Sequence, residues 1–311
     1  MCEVAGVSRS GYYSWLDNKN DIESYMNKKE LQDQEDFKII LEAYLFRGYD
    51  KGSRGIRMRL LHMGINFNRK KIQRLMRKYN LFCPIRKANP YRRMAKAIKT
   101  SNYADNILER QFEAFGPGYV LLTDITYFFY GKDRTKAFLS VIKDAFTKQI
   151  LAHKLSLSLE EDFVLDTIRS LFENHKDNIH CDALIHSDQG AHYTCLLFIE
   201  LLKNKGIRQS MSRRGNCWDN APQESFFGHM KDEINDKVKQ CEDYDSLNLL
   251  IDDYMDYYNN DRYQIELAML SPNEYLQYFK TSIYPLKYVI KEPADIKYKL
   301  DTIKEDRAIK D

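Results

Sequence analysis

The sequence predicts an α/β chain in which a small, basic, all-helical unit precedes a mixed five-stranded sheet with flanking helices. Three observations carry that expectation. Apolar residues recur at helical spacing through the first third, β-branched and aromatic runs take over after Gly116-Pro117-Gly118, and the charge changes sign between the two parts. At 311 residues, 43% of them apolar and 30% charged, the chain has the length for two domains and an ordinary globular composition.

The helical part opens at residues 4–16 with a turn entering a short helix, Ser8 or Ser10 being its N-cap, and a connector of mixed charge follows. Phe37, Ile40, Leu41, Tyr44 and Leu45 then stand at three-and-four spacing, a helix from Asp36 that should end near Gly48. Two more helices are expected, over about 53–63 and 68–79. In the second, Ile72, Leu75 and Met76 share a face opposite Arg69, Lys70, Arg74, Arg77 and Lys78. Residues 84–102 are basic, contain two prolines and read as a linker able to track phosphates.

The first strand spans 120–129 and closes at the turn Gly131-Lys132-Asp133; strands over 137–143 and 149–155 complete an antiparallel meander. An amphipathic helix over 159–174 follows, then a short buried strand over 183–186, a helix over 193–203 and a fifth strand over 207–211. A polar loop, 212–221, leads into a helix over 222–238 whose first turn holds Pro222. Strands first in a run and then alternating with helices make a mixed sheet.

Composition excludes several classes. Six cysteines stand far apart with no Cys-x-x-Cys pair, which argues against a disulfide scaffold and against zinc-finger ligation. Met1-Cys2-Glu3-Val4 does not begin a secretory signal, and no run approaches the ~18 apolar residues of a membrane span, so a cytoplasmic chain is expected. Residues 1–115 hold 23 Lys/Arg against 13 Asp/Glu, whereas the remainder holds 25 against 32. Within 47–99 there are 17 basic side chains and a single acid, Asp50. Such a segment repels itself unless a polyanion is near, and short basic helices parted by glycine turns suit helix-turn-helix binding of DNA.

Three carboxylates sit where solubility does not call for them. Asp124 interrupts the apolar strand LLTDITYF, Asp188 follows the fourth strand, and Glu224 opens a helix. An ionised Asp inside so apolar a strand is costly without a compensating cation or donors. Singly, each has a plain reading: a satisfied structural carboxylate, turn chemistry in Ser-Asp-Gln-Gly, and an acid answering a helix dipole. Together, three hard oxygen donors suit Mg²⁺, and two such ions about 4 Å apart serve in-line phosphodiester displacement.

The segments LLTDITYF, HSDQGAHY and SMSRRGNCWDNAPQESFFGHMKDE, with 35 residues between Asp188 and Glu224, closely resemble the catalytic core of orf-B-type insertion-sequence transposases. These form the insertion-sequence-three family, relatives of retroviral integrases. The resemblance extends over about residues 1–280, through GVSRSGYYSWL, RLMRKYNLF, NILERQF, Tyr258-Asn259-Asn260-Asp261-Arg262 and Leu270-Ser271-Pro272-Asn273-Glu274-Tyr275.

That resemblance implies a ribonuclease H-like core in which Asp124, Asp188 and Glu224 are catalytic and bind two Mg²⁺ ions, Mn²⁺ being a possible substitute. It implies strand cleavage at the ends of an insertion sequence and transfer of the freed 3′-hydroxyl to target DNA. The alternatives are a metal-dependent nuclease of the same fold and a non-catalytic DNA-binding relic. A tyrosine recombinase has no compact Arg/His/Tyr set to support it among the 22 tyrosines. The domains expected are a helical segment (1–30), a helix-turn-helix-like DNA-binding domain (31–84), a basic linker (85–115), the catalytic core (116–280) and a tail without assigned role (281–311). By analogy, the partners are DNA at element ends and target, further copies in a synaptic complex, and an upstream-frame protein or fusion partner, with no membrane.

Helix geometry places Glu224, Phe227, Gly228 and Lys231 on one face, with Lys231 about 10.5 Å beyond Glu224 and within reach of a phosphate. Gly228 would admit a close backbone. Phe226 and Phe227 read as core. Arg213, Arg214 and Asn220, in and beside the polar loop, are expected to meet DNA, as are Arg69, Lys70, Arg74, Arg77 and Lys78. Gln189, Asn216, Asp219 and Asn220 match family motifs, and Trp218 stacks on a base or anchors the loop. Either His186 or His192 could polarise a phosphate or support the site from outside it, but His186 reads first as a packed, hydrogen-bonded histidine.

Overall fold

The computed structural model describes residues 5–84, 115–212 and 220–286, and the chain divides into two compact units, Met1–Pro84 and Ile85–Asp311. Among the described residues no helix is long and apolar enough to cross a membrane. The expected linker over 84–102 lies almost wholly outside the described residues, as do the family segment NILERQF and most of the tail from 281 onward.

The first unit contains α1 (Arg9–Leu45), α2 (Ser53–His62) and α3 (Arg69–Lys78). The connector expected after residue 16 is instead part of α1, which runs unbroken for 37 residues. Residues 17–35 are mostly Glu, Gln, Lys, Asn and Asp, several of them strong helix formers without an apolar stripe, so periodicity does not reveal them. Ser8 is the cap, its hydroxyl accepting from Gly11 N at 3.0 Å. Helix α1 stops at Leu45, before Arg47 and Gly48 turn to positive φ. Buried Lys51 donates to the carbonyls of Tyr44 in the last turn and of Phe46 and Tyr49 just beyond it, as a cation suits a helix C-terminus. Ile40, Ala43, Ile56, Leu60, Ile72 and Leu75 form the core of the three helices.

The second unit is built on a sheet of order β3-β2-β1-β4-β5: β1 (Val120–Tyr130), β2 (Thr135–Asp144), β3 (Ile150–Ser156), β4 (Leu184–Ser187) and β5 (Arg208–Met211). Neighbours β1, β2 and β3 pair antiparallel, while β4 and β5 run parallel to β1. With its flanking helices this is the ribonuclease H-like arrangement. Helix α4 (Glu161–His175) packs on one face with Leu121, Ile142 and Ile185.

The single helix expected over 193–203 is two, α5 (Ala191–Thr194) and α6 (Leu196–Asn204), parted by an extended Cys195. Tyr193 and Phe198 both enter the core and meet edge-to-face at 5.4 Å. On one continuous helix they would stand ~140° apart, so the break lets both pack.

Helix α7 (Ala221–Gln240) buries Gln223, Phe227, Met230, Ile234 and Val238 as one stripe. After it come two helices the apolar spacing had not singled out, α8 (Tyr244–Asn260) and α9 (Pro272–Thr281), each opened by a capping box. They clarify the family's closing segment. Asn259 exchanges two hydrogen bonds of 2.9 Å with the Ile150 backbone at the start of β3, and Arg262 clamps Glu233 of α7, at 2.7 Å through Nη2.

Buried Asp144 at the end of β2 accepts from the backbone N–H groups of Gly118, Phe146 and Thr147, which fixes where β1 begins. Gly118 has φ +77, and a Cβ there would lie 2.1 Å from the Asn178 carbonyl oxygen, so both conformation and space require glycine.

Candidate active site

The parallel pairing of β1 with β4 matches Val120 with Leu184, Leu121 with Ile185 and Leu122 with His186. Asp124 stands two residues beyond Leu122 on β1, and Asp188 two residues beyond His186, just past the end of β4. Glu224 enters from the first turn of α7, which packs against β1. The three acids therefore come from mid-strand, strand end and helix start, as their sequence contexts predict.

Their electrostatics record the meeting. The Asp124 carboxyl is half-buried and pushed up to about 7, first by burial, then by the charge of Asp188 and, more weakly, of Glu224. The Ile125 N–H, donating at 2.7 Å, and the Lys231 ammonium offset this in part. Asp188 is exposed, and its Oδ1 accepts from Gly190 N at 2.9 Å. Glu224 is exposed too.

Like charges crowded around a half-buried carboxyl are relieved by a cation, and an all-oxygen donor set suits a hard divalent ion. Among the described residues, the one group of three whose ligand atoms all lie within 4.8 Å of each other is His180, Cys181 and Asp182, on a turn before β4. The acidic trio is thus more open than a cage for one ion.

Around the trio, Lys231 is half-buried, 4.7 Å from the Tyr127 ring centroid and 5.7 Å from that of Phe128. Burial draws its ammonium down and Asp124 draws it back up. Glu224 and Lys231 do lie along one side of α7, but Phe227 is buried in the core and Gly228 faces open space, where a Cβ would meet nothing within 4 Å. Phe226 is also core, edge-on to Tyr258.

His186 is fully buried, with Nδ1 3.0 Å from the Ser210 hydroxyl and Nε2 3.1 Å from that of Ser212. His192 Nε2 reaches the Leu159 carbonyl at 2.9 Å. Both histidines tie elements together: His186 joins β4 to β5 and the residue after it, and His192 joins α5 to the segment before α4. Arg213, Arg214, Asn216, Trp218 and Asp219 lie outside the described residues.

Asn220 is buried at the cap of α7, and its Oδ1, both polar atoms of Gln223 and Nε2 of Gln189 are buried without hydrogen-bond partners. Gln223 was not singled out by sequence, although its place beside Glu224 in a polar motif was a usable signal. Tyr193 was also missed: its phenol is fully buried, and it feels the charges of both Asp124 and Asp188.

On the basic unit, Arg74 holds Asp33 through two hydrogen bonds of 2.7 and 2.6 Å, Lys78 meets Glu30 at 2.5 Å and Asp33 at 2.7 Å, and Lys71 meets Asp36 at 2.6 Å. The guanidinium of Arg74, with Lys78 beside it, holds the Asp33 carboxyl well below its ordinary range. Of the α3 cations named from sequence, Arg69, Lys70 and Arg77 have exposed side chains.

Fold and site together define a ribonuclease H-like core with an acidic centre, joined in one chain to a basic three-helix unit. The integrase core domain family matches residues 114–217, a second integrase core domain family matches 224–278, and the helix-turn-helix-like domain family matches 30–89. InsK of insertion sequence element IS150 from Escherichia coli K12 is 32% identical over 275 residues, 88% of this chain and 92% of that protein. The IS600 31 kDa protein of Shigella sonnei is 30% identical over 88% of this chain and 96% of that one. Transposase InsF for insertion sequence IS3A of E. coli K12 is 28% identical over 74% and 77%. Among solved structures, the HTLV-2 integrase catalytic core domain aligns with a TM-score of 0.41 at 15% identity, over 51% of this chain and 97% of that one. The chain belongs to the insertion-sequence transposases, with an integrase core domain and a helix-turn-helix-like domain.

Proposed function

We propose that this chain cuts DNA at the ends of an insertion sequence and joins the freed 3′-hydroxyl to target DNA, with Asp124, Asp188 and Glu224 as the catalytic carboxylates. The observation that carries this reading is the Asp124 carboxyl, raised by burial and by the charges of the other two acids at the parallel end of the sheet. A single structural carboxylate needs no such crowding. The donor set fits two Mg²⁺ ions, Mn²⁺ being an alternative; when bound, such ions supply Lewis acidity at the attacking and leaving oxygens.

In this reading Asp124, Asp188 and Glu224 would together hold the ions. Lys231 receives a backbone phosphate beside them. Arg213 and Arg214 hold the strand, whereas Asn220, also expected from sequence to meet DNA, is buried at the start of α7 and is not a contact. Each chemical step exchanges one P–O bond for another, first with water and then with the 3′-hydroxyl as nucleophile, so no tyrosine or serine ester forms and no external energy source is needed.

Residues 31–84 grip duplex DNA through Arg69, Lys70 and Arg77, with Arg74 and Lys78 chiefly bracing α3 on α1; 85–115 serve as linker and 116–280 as the core. Bringing two element ends together calls for more than one copy.

The test is a cleavage-and-joining assay on oligonucleotides carrying the element's terminal repeats, with Mg²⁺ or Mn²⁺. Wild-type protein is expected to yield cut and joined products, and Asp188→Asn neither. Joining unchanged in Asp188→Asn sinks the assignment of the acids, and hydrolysis without joining selects the nuclease alternative.

A further inference from the structure

The outer end of the β1–β2 hairpin carries an aromatic and cationic surface that the acidic site does not use. Tyr127 and Phe129 are 47% and 43% exposed although both lie within β1. Their rings meet edge-to-face with centroids 5.5 Å apart. Lys136 sits 4.5 Å from the Tyr127 centroid, and Arg134 sits 5.4 Å from that of Phe129. Lys231 lies over Tyr127 and also feels Asp124, so one cation stands between this surface and the acidic site.

The platform is held firmly. Tyr127 pairs with Phe138 and Phe129 with Lys136 across the hairpin, and Gly131 N donates at 3.0 Å to the Cys241 carbonyl just beyond α7.

From this we infer that Tyr127 and Phe129 form a stacking platform for unpaired bases of a DNA strand leading to or from the acidic site, with Arg134, Lys136 and Lys231 receiving its phosphates. Exposed rings interleaved with cations are the chemistry of single-strand binding: every base has a π-face, and the backbone is polyanionic. Charge speaks against a second copy as the occupant, since Arg134, Lys136 and Lys231 lie over the rings and the turn between the strands adds Lys132 against one acid, Asp133. The inference rests on the proposed DNA-joining activity only for which strand arrives there.

The experiment compares binding, by the full chain in metal-free buffer, of a blunt duplex and of the same duplex with a short single-stranded dT tail. Wild-type protein is expected to gain about tenfold in affinity from the tail. The double variant Tyr127→Ala/Phe129→Ala loses that gain and Tyr127→Phe keeps it, while circular dichroism shows all three folded. A 5-iodouracil placed in the tail should cross-link to Tyr127 or Phe129.

A wild-type chain indifferent to the tail, a gain that survives the double substitution, or cross-links confined to other segments overturns the inference. So does a double variant that changes the sedimenting species while keeping the gain, which would give the face to a second copy. A tail gain lost as expected in a protein that never joins DNA keeps the platform and removes the joining reading; joining without a tail gain does the reverse.

Discussion

At the scale of single residues, Asp124 carries the clearest conflict between stability and chemistry. Its carboxyl has an ordinary value of 3.8 and stands at about 7 in the fold. Between those values the folded chain holds a proton that the unfolded chain has released, so this group's contribution to stability falls as pH rises through that window. Asp124→Asn removes the cost. In metal-free buffer near neutral pH the variant is expected to melt higher, by about 1–2 kcal/mol of stability, less than the full displacement converts to because the carboxyl keeps some water. Added Mg²⁺ should raise the Tm of the wild type and leave that of the variant nearly unmoved. A variant that melts lower without metal, or that gains equally from Mg²⁺, contradicts the assignment.

Elements sort the basic residues in a way composition does not. Helix α3 reads from sequence as one cationic face, yet α1 brings Glu30, Asp33 and Asp36 against Lys78, Arg74 and Lys71. Arg74→Ala is therefore expected to cost about 1–2 kcal/mol of stability in the first unit. Asp33 is depressed from an ordinary 3.8, so its contribution is fully present above that value and is lost as pH falls below it. The gap between wild type and Arg74→Ala in thermal melts should narrow accordingly in acid. Arg69→Ala, Lys70→Ala and Arg77→Ala should leave the melt unchanged and each reduce the salt dependence of duplex binding by about one counterion. The opposite pattern would make Arg74 the DNA contact.

For the molecule as a whole, pH stability should carry the mark of a buried cation. Lys143 of β2 is fully buried, donates at 2.5 Å to the Pro222 carbonyl in the first turn of α7, and lies 5.5 Å from the Phe226 ring centroid. Burial above all, then the positive charges of Lys148 and Arg262 against the opposing Glu266, lowers its ammonium from 10.5 to about 7. Between those values the unfolded chain holds a proton that the folded chain has lost, so stability contributed here climbs with pH. Urea midpoints at about pH 7 and about pH 9 should show wild type gaining on Lys143→Met as pH rises; parallel behaviour would show that Lys143 keeps its charge in the fold.

The amino-acid sequence placed the five strands in order and singled out Asp124, Asp188 and Glu224, because period and misplaced charge are local signals. It missed the polar middle of α1 and the break at Cys195, where a good helix former without an apolar stripe, or two rings competing for one core, leaves no periodic trace. Two features belong to the folded chain alone: the parallel register of β1 on β4, and the pairing of Arg74 with Asp33 across 41 residues of chain. Both depend on which distant backbones and charges come to lie side by side, and spacing along the chain carries no record of that.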